Sequence, residues 1–181
     1  MKPGAPEWNL RAATVADVAT IETLEQQLFP EDAWSLEMIL SEITHPTRSY
    51  WVAEAHGQVM GYAGVMVVAD TADVQNIAVA PEHEGQGVGT ALLTTLHREA
   101  KERGAREVLL EVRVDNHRAQ ALYQRFGYVA LTVRPRYYPG GADALIMRAE
   151  LALATPSTTT DLTSHMGVGS GTETQDTTHD H

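Results

Sequence analysis

The chain has 181 residues, of which 13 are lysine or arginine and 24 are aspartate or glutamate, so its formal net charge is −11. This length suits one domain with a substantial hydrophobic core, and the negative charge argues against a nucleic-acid-binding protein. The absence of cysteine excludes disulfides, iron–sulfur clusters, thiolate zinc sites and cysteine nucleophiles.

Apolar residues nowhere form a run long enough for a membrane span, which needs about 18 of them. Met1 also leads into no apolar run of the signal-peptide type. We therefore expect a cytoplasmic protein that contacts no membrane.

The first third of the chain predicts a strand, two helices and two further strands. Thr14 can cap the first helix, which the apolar spacing carries as far as Pro30, and Ser35 can cap the second. The dipeptide His56-Gly57 then predicts a hairpin turn between strands. The predicted strands are 8–11, 50–55 and 59–69.

The second part predicts alternating strands and helices, with Gly104 and Gly127 ending the two helices. The predicted strands are 73–79, 107–112, 128–133 and 144–151, and the predicted helices are 90–103 and 116–126. Only the strand–helix–strand unit 73–112 requires parallel pairing. The sequence thus predicts an α+β fold: a mixed, mostly antiparallel twisted sheet flanked by helices.

The composition changes abruptly after residue 154. Residues 155–181 contain nine threonines, four acids and no lysine or arginine, which leaves −7 of the net charge on residues 1–154. Such a segment buries too little apolar surface to offset its ordering entropy. We expect a domain at 1–154 followed by a disordered tail at 155–181.

A glycine-rich turn between strand 73–79 and the next helix is the most informative local feature. Gly85, Gly87 and Gly89 let the backbone approach a ligand, and the N–H groups of the helix start attract an anion such as a pyrophosphate. A P-loop is excluded because no lysine follows, and the dinucleotide-binding spacing fails because Thr90 and Leu92 occupy the positions of its last glycine. An ordinary glycine-rich connection and a nucleotide-binding protein remain as alternatives.

The segment from Val79-Ala80-Pro81 through Gly85-Gln86-Gly87-Val88-Gly89-Thr90 resembles the acetyl-CoA loop of the GNAT acetyltransferase superfamily. That loop begins with Gln or Arg, whereas this chain has Glu84. Because a carboxylate beside a pyrophosphate is unfavourable, we expect Glu84 to turn to solvent. The resemblance implies that the coenzyme binds to Ile77, Ala78, Val79, Gly85, Gln86, Gly87, Val88, Gly89, Thr90 and Asn116.

The segments Leu110-Glu111-Val112-Arg113 and Ala121-Leu122-Tyr123, followed by Gly127-Tyr128, resemble the ribosomal-protein-alanine N-acetyltransferase (RimI) branch of GNAT. The resemblance implies direct transfer of an acetyl group from acetyl-CoA, without a metal, to the N-terminal alanine of a small-subunit ribosomal protein. We also expect a monomer or weak dimer. An acetyltransferase of a small amine or a lysine side chain, and an acetyl-CoA-binding module without catalysis, remain alternatives.

Two residues are candidates for proton transfer. Glu111 interrupts an apolar strand, where an unpaired carboxylate is costly, and could act as the base; alternatively it forms a structural ion pair with Arg113. Tyr123 lies on an apolar helical stripe and could simply pack in the core. The resemblance implies that Tyr123 protonates the leaving coenzyme.

Three further expectations concern binding. Asn116 could touch the coenzyme, as the resemblance implies, or cap the helix that follows it. Aromatic residues on both sides could wall the groove for an acceptor peptide. They are Phe29, Trp34, Tyr137 and Tyr138.

Overall fold

The structure is a computed structural model that describes residues 7–152, and the predicted tail at 155–181 lies outside them. The strands are β1 (Asn9–Ala12), β2 (Arg48–Ala55), β3 (Gln58–Val68), β4 (Thr71–Val79), β5 (Glu107–Arg113), β6 (Val129–Arg134) and β7 (Ala144–Glu150). The helices are α1 (Val18–Leu28), α2 (Leu36–Thr44), α3 (Val88–Glu102) and α4 (His117–Arg125). No helix in residues 7–152 combines the length and apolar character needed to cross a bilayer.

The seven strands form one sheet in the order β1-β2-β3-β4-β5-β7-β6. Every neighbouring pair is antiparallel except β4 and β5, which are joined through α3. The predicted α+β architecture is confirmed, including the single parallel pair.

Local signals account for most helix ends. The backbone N–H of Thr14 donates to the Asp17 carboxylate at 2.7 Å, but the turn they form is a short 3-10 helix that precedes α1. The Ser35 hydroxyl accepts from the Met38 N–H and caps α2 as predicted. Helix α3 begins at Val88, earlier than predicted, because Gly87 in the left-handed conformation (φ 82°) serves as its N-cap.

Helices cover both faces of the sheet. Helix α3 packs Leu92, Leu93 and Leu96 against one face, where Leu110 and Val112 of β5 are also buried. On the opposite face, Ile21 of α1 and Ile39 of α2 lie in a second core with strand residues of β2 and β3. The sheet is therefore the middle layer of three.

The sheet opens at its centre. Only Thr71–Asp73 of β4 and Glu107–Leu109 of β5 pair with each other, although β4 continues to Val79 and β5 to Arg113. A bulge between Gly64 and Val65 of β3 interrupts the β3–β4 register beside this opening. The opening leaves inner strand edges without strand partners, and the candidate site lies there.

Candidate functional site

A cavity of about 650 Å³ occupies the opening between β4 and β5. Its walls come from the loop between α1 and α2, the unpaired part of β4, the end of β5, the start of α4 and the loop before β7. Eight residues named from the sequence line it: Phe29, Trp34, Ile77, Glu111, Asn116, Tyr123, Tyr137 and Tyr138. The other predicted site residues, 78–79 and 85–90, lie at the end of β4 and in the turn that follows.

The glycine-rich turn is shaped for a ligand that needs close access to the backbone. Gly85 and Gly87 have φ values of 76° and 82°, which L side chains rarely adopt, and a Cβ there would meet no other atom within 4 Å. The turn is exposed and leads directly into α3, so the first N–H groups of that helix face outward. This geometry suits an anion such as a diphosphate.

Glu84 precedes the turn and forms an ion pair with Arg118 in the first turn of α4. Its side chain is 43% exposed and that of Arg118 is 69% exposed, so Glu84 faces solvent, as expected, while it forms this surface ion pair. The pair directs the carboxylate toward a cation on α4 and links the turn to that helix. Nothing in the sequence connects residues 34 positions apart in this way.

Glu111 lies on β5 with its side chain directed away from the α3 face, because its neighbours Leu110 and Val112 are buried on that face. It pairs with Arg134 of β6, whose Nη1 donates to Oε1 at 2.8 Å. The predicted alternative of an ion pair between Glu111 and Arg113 is wrong. The Arg113 guanidinium pairs with Asp115 at 2.9 Å in the turn after β5. The Glu111 side chain is 31% exposed and remains accessible from the cavity.

Tyr123 of α4 reaches the cavity from the opposite face of the sheet. It is 5% exposed and belongs to the α3-side core, so core packing and cavity lining both apply to it. Burial raises the pKa of the Tyr123 hydroxyl to about 12. The phenol therefore carries its proton at neutral pH.

Asn116 caps α4, because its Oδ1 accepts from the Ala119 N–H at 3.1 Å. The capping alternative is therefore realised, and the side chain also borders the cavity. The amide Nδ2 makes no hydrogen bond within residues 7–152 and can still donate to a ligand.

Two aromatic rings wall the cavity on the side of the β6–β7 loop. The rings of Tyr137 and Tyr138 meet edge to face with centroids 5.0 Å apart. Arg134 and Arg113 lie over these rings at 5.8 and 5.7 Å. The neighbouring Glu111 carboxylate raises the pKa of Tyr137, so a carboxylate and a phenol stand together at the groove.

Glu25 and Asn76 are two of the polar residues that line the cavity and that sequence reasoning did not assign to the site. Glu25 is only 1% exposed, and its oxygens accept hydrogen bonds from the Trp34 backbone N–H and from Asn76 Nδ2. Burial raises the pKa of Glu25. The available signal was position: Glu25 follows Val18 and Ile21 at helical spacing, on the apolar stripe where a charge is unexpected.

Together these groups describe a passage through the sheet with proton-transfer groups on both sides. Glu111 approaches from the α1–α2 face, and Tyr123 approaches from the α3 face. A substrate entering from one face could meet a second one entering from the other, with a proton acceptor beside the first and a proton donor beside the second.

Comparison with known proteins identifies the family of the chain. The family model described as "Acetyltransferase (GNAT) family" matches residues 16–128. A Bacillus subtilis protein provisionally named ribosomal protein bS18-alanine N-acetyltransferase is 38% identical over 149 residues, which cover 81% of this chain and 96% of that protein.

Solved structures share the fold. The ribosomal-protein-S18-alanine N-acetyltransferase from Escherichia coli has a TM-score of 0.75 and 31% identity, covering 83% of this chain and 97% of the other. A Salmonella typhimurium protein provisionally described as an acetyltransferase, solved with its cofactor acetyl-CoA, has a TM-score of 0.70 and 21% identity, covering 84% of this chain and 99% of the other.

Proposed function

Because the chain belongs to the GNAT acetyltransferase family, we propose that it transfers the acetyl group of acetyl-CoA to the N-terminal α-amine of a protein. The acceptor in this proposal is the N-terminal alanine of a small-subunit ribosomal protein, the substrate type in the names of similar B. subtilis and E. coli proteins. The observation that carries the proposal is the opening between β4 and β5, with Glu111 on one face and Tyr123 on the other.

The α3 side of the opening suits the coenzyme. The turn at Gly85–Gly89 offers backbone N–H groups to the diphosphate without side-chain interference. The unpaired edge of β4 at residues 77–79 offers N–H and C=O groups to an extended amide chain, as a strand edge does. Acetyl-CoA supplies the activated acetyl group as a thioester.

The α1–α2 side suits the amine. An α-amino group has a pKa of about 8, so a substantial fraction is protonated at neutral pH and must lose a proton before it attacks. In the proposal Glu111 accepts this proton, directly or through one water molecule. The C–N bond then forms as the C–S bond breaks, and the leaving sulfur takes the proton of the Tyr123 hydroxyl. The nitrogen loses its second proton to water as it becomes an amide, and the Tyr123 phenolate regains a proton from solvent.

Charge supports a cationic acceptor. Residues 1–154 carry a formal charge of −7, and Glu31 and Asp32 add to the acidic rim of the cavity. Such a surface raises the encounter rate of a basic protein more than its final affinity.

The test is acetylation of a hexapeptide that begins with alanine, compared with free lysine and with a polyamine. We expect acetyl transfer to the α-amine of the peptide only, measured by mass spectrometry and by coenzyme release. Acetylation of lysine or the polyamine with equal kcat/KM would support the small-amine alternative instead. Mass spectrometry of ribosomal protein N-termini from cells with and without the enzyme then identifies the acceptor.

A matched pair of variants tests the role of Glu111. Glu111→Gln should lower kcat by about 100-fold, the usual scale for a lost general base. Glu107→Gln, on the same strand and paired with Arg148, should retain the wild-type kcat. If both variants turn over normally while acetyl-CoA still binds, the chain is a binding module and the catalytic proposal is wrong.

A further inference from the structure

Asn76 borders the cavity on the β4 side of the opening, across from Glu111 on β5. Its side chain reaches Glu25 of α1 and therefore lies on the α1–α2 face of the sheet. Glu111 lies on the same face, as the burial of its strand neighbours indicates. The two side chains thus flank the opening from opposite strands on the side proposed for the amine.

The orientation of the Asn76 amide is fixed by its partners. Its Nδ2 donates to Glu25 Oε1 and to the Tyr62 hydroxyl oxygen, the latter at 3.0 Å. A primary amide has two N–H donors, so both are used. Within the described part of the chain no group donates to Oδ1, and because Oδ1 lies opposite Nδ2 across the amide, it is turned away from this buried pair of partners.

Glu25 enforces this orientation. Its second oxygen, Oε2, accepts from the Trp34 backbone N–H at 3.1 Å, so both carboxylate oxygens act as acceptors. Turning the Asn76 amide over would set its carbonyl oxygen against the Glu25 carboxylate, two acceptors face to face. Glu25 is fully buried, and among residues 7–152 no cationic side chain forms an ion pair with it.

We propose that Asn76 binds the acceptor amine through Oδ1, and that Glu25 is a positioning residue that acts through Asn76 and the Trp34 backbone. This inference rests on the proposed function. A neutral primary amine has two N–H groups and one lone pair. One N–H then points to Asn76 Oδ1 and the lone pair points into the opening. The groove fixes the direction of the second N–H and of the peptide chain.

The decisive measurement is a double-mutant cycle on Asn76 and Glu25, with KM for the acceptor peptide as the measured quantity. We expect Asn76→Ala to raise KM for the alanine hexapeptide by about tenfold, with the Kd of acetyl-CoA unchanged by calorimetry. Glu25→Gln should have a similar effect. The new glutamine must keep its oxygen toward the Trp34 N–H, so its NH₂ group faces Asn76. Asn76 then turns its oxygen toward this NH₂ group and its own NH₂ group toward the cavity. The double variant should be no worse than Asn76→Ala alone.

Glu22→Gln is the matched control. Glu22 also lies on α1 and also accepts from a backbone N–H, that of Leu36 at 3.2 Å, but it does not border the cavity in residues 7–152. The Glu22→Gln variant should have the same KM for the peptide as the wild type. Circular dichroism reports folding for every variant, and Asn76→Ser replaces Asn76→Ala if the latter is unfolded.

Several outcomes separate the hypotheses. Unchanged peptide KM in a folded Asn76 variant overturns the inference. Additive losses in the double variant overturn the role of Glu25 through Asn76 and indicate a general structural effect. A wild-type enzyme that fails to acetylate any peptide overturns the proposed function itself, before the variants are compared.

Discussion

At the scale of single residues, the protonation state of the Tyr123 hydroxyl determines whether this group can serve as a proton donor. Its pKa is raised to about 12 because the ring is buried in the α3-side core. A thiol has a pKa of about 8.5, so a phenol at about 12 is the weaker acid. It therefore carries its proton before the reaction. Because the phenol is the weaker acid, its donation to the leaving sulfur is uphill and has to be coupled to the loss of a proton by the new amide nitrogen.

Tyr123→Phe tests this role. We expect kcat to fall by about 100-fold or more with little change in the Kd of acetyl-CoA, because only the hydroxyl is removed. Tyr128→Phe is the control: Tyr128 is also buried, and its hydroxyl bonds His97 at 2.7 Å, outside the cavity. That variant should lose some stability and keep its kcat, and steady-state kinetics with thermal unfolding separates the two effects. Equal kcat for the two variants would contradict the donor role.

The same scale shows what sequence reasoning could reach. Glu111 and Tyr123 stood out because a known motif and an acid in an apolar run pointed to them. Glu25 and Asn76 did not, because their importance depends on one hydrogen bond between residues 51 positions apart. The partner of Glu111 was missed for a similar reason: Arg134 reaches it across β7 from the edge strand.

At the scale of elements, the glycine-rich turn shows how backbone conformation shapes the proposed coenzyme site. Gly87→Ala places a Cβ at a φ of 82°, which costs about 1 kcal/mol although no atom obstructs it. We expect relief of this strain to displace the N–H groups at the start of α3 and to weaken acetyl-CoA binding several-fold in calorimetry. Gly104→Ala is the control, since its φ of 93° gives a comparable strain at the far end of α3. It should lose stability and keep the wild-type Kd, and equal Kd values for the two variants would contradict the prediction.

A partly buried ion pair fixes the start of α1 and makes the stability of the fold sensitive to acid. The Arg11 guanidinium donates to both Asp17 oxygens at 2.8 Å and holds the pKa of Asp17 below its ordinary value. Because the folded state lowers this pKa, the pair stabilises the fold above the unfolded pKa of about 3.9, and the contribution is lost as pH falls through the folded pKa.

Asp17→Asn tests that contribution. The variant should have a lower Tm than the wild type at pH 7, and the difference should shrink as the pH approaches 3. Asp115→Asn removes the exposed partner of Arg113 and should shift Tm at pH 7 by much less. A constant Tm difference for Asp17→Asn across this pH range would contradict the pKa argument.

The elements themselves were largely predictable because apolar periodicity and capping residues act locally. Ser35, Gly104 and Gly127 mark helix ends in the sequence and in the structure. The exceptions are also local in cause. The turn after Thr14 closes with 3-10 geometry, and the left-handed Gly87 lets α3 begin at Val88.

At the scale of the whole molecule, the division of the chain at residue 154 stays a prediction. A chain that ends at Ala154 should keep the Tm, the kcat/KM for the hexapeptide and the acetyl-CoA affinity of the full-length protein. The reason is that every residue assigned to the site lies before Glu150, the last residue of β7. A large loss of acceptor affinity on truncation would assign a binding role to residues 155–181.

The parallel pair β4–β5 joins two parts of the sheet, β1–β4 and β5–β7, through only three residue pairs. A ligand that hydrogen-bonds the facing edges beyond Asp73 and Leu109 completes the sheet. Binding of this ligand then raises the free energy of global unfolding. It also couples the unfolding of β1–β4 to that of β5–β7. Without coenzyme, the amide hydrogens of the free β4 edge should exchange with solvent deuterium far faster than those of β3, and saturating acetyl-CoA should close that difference.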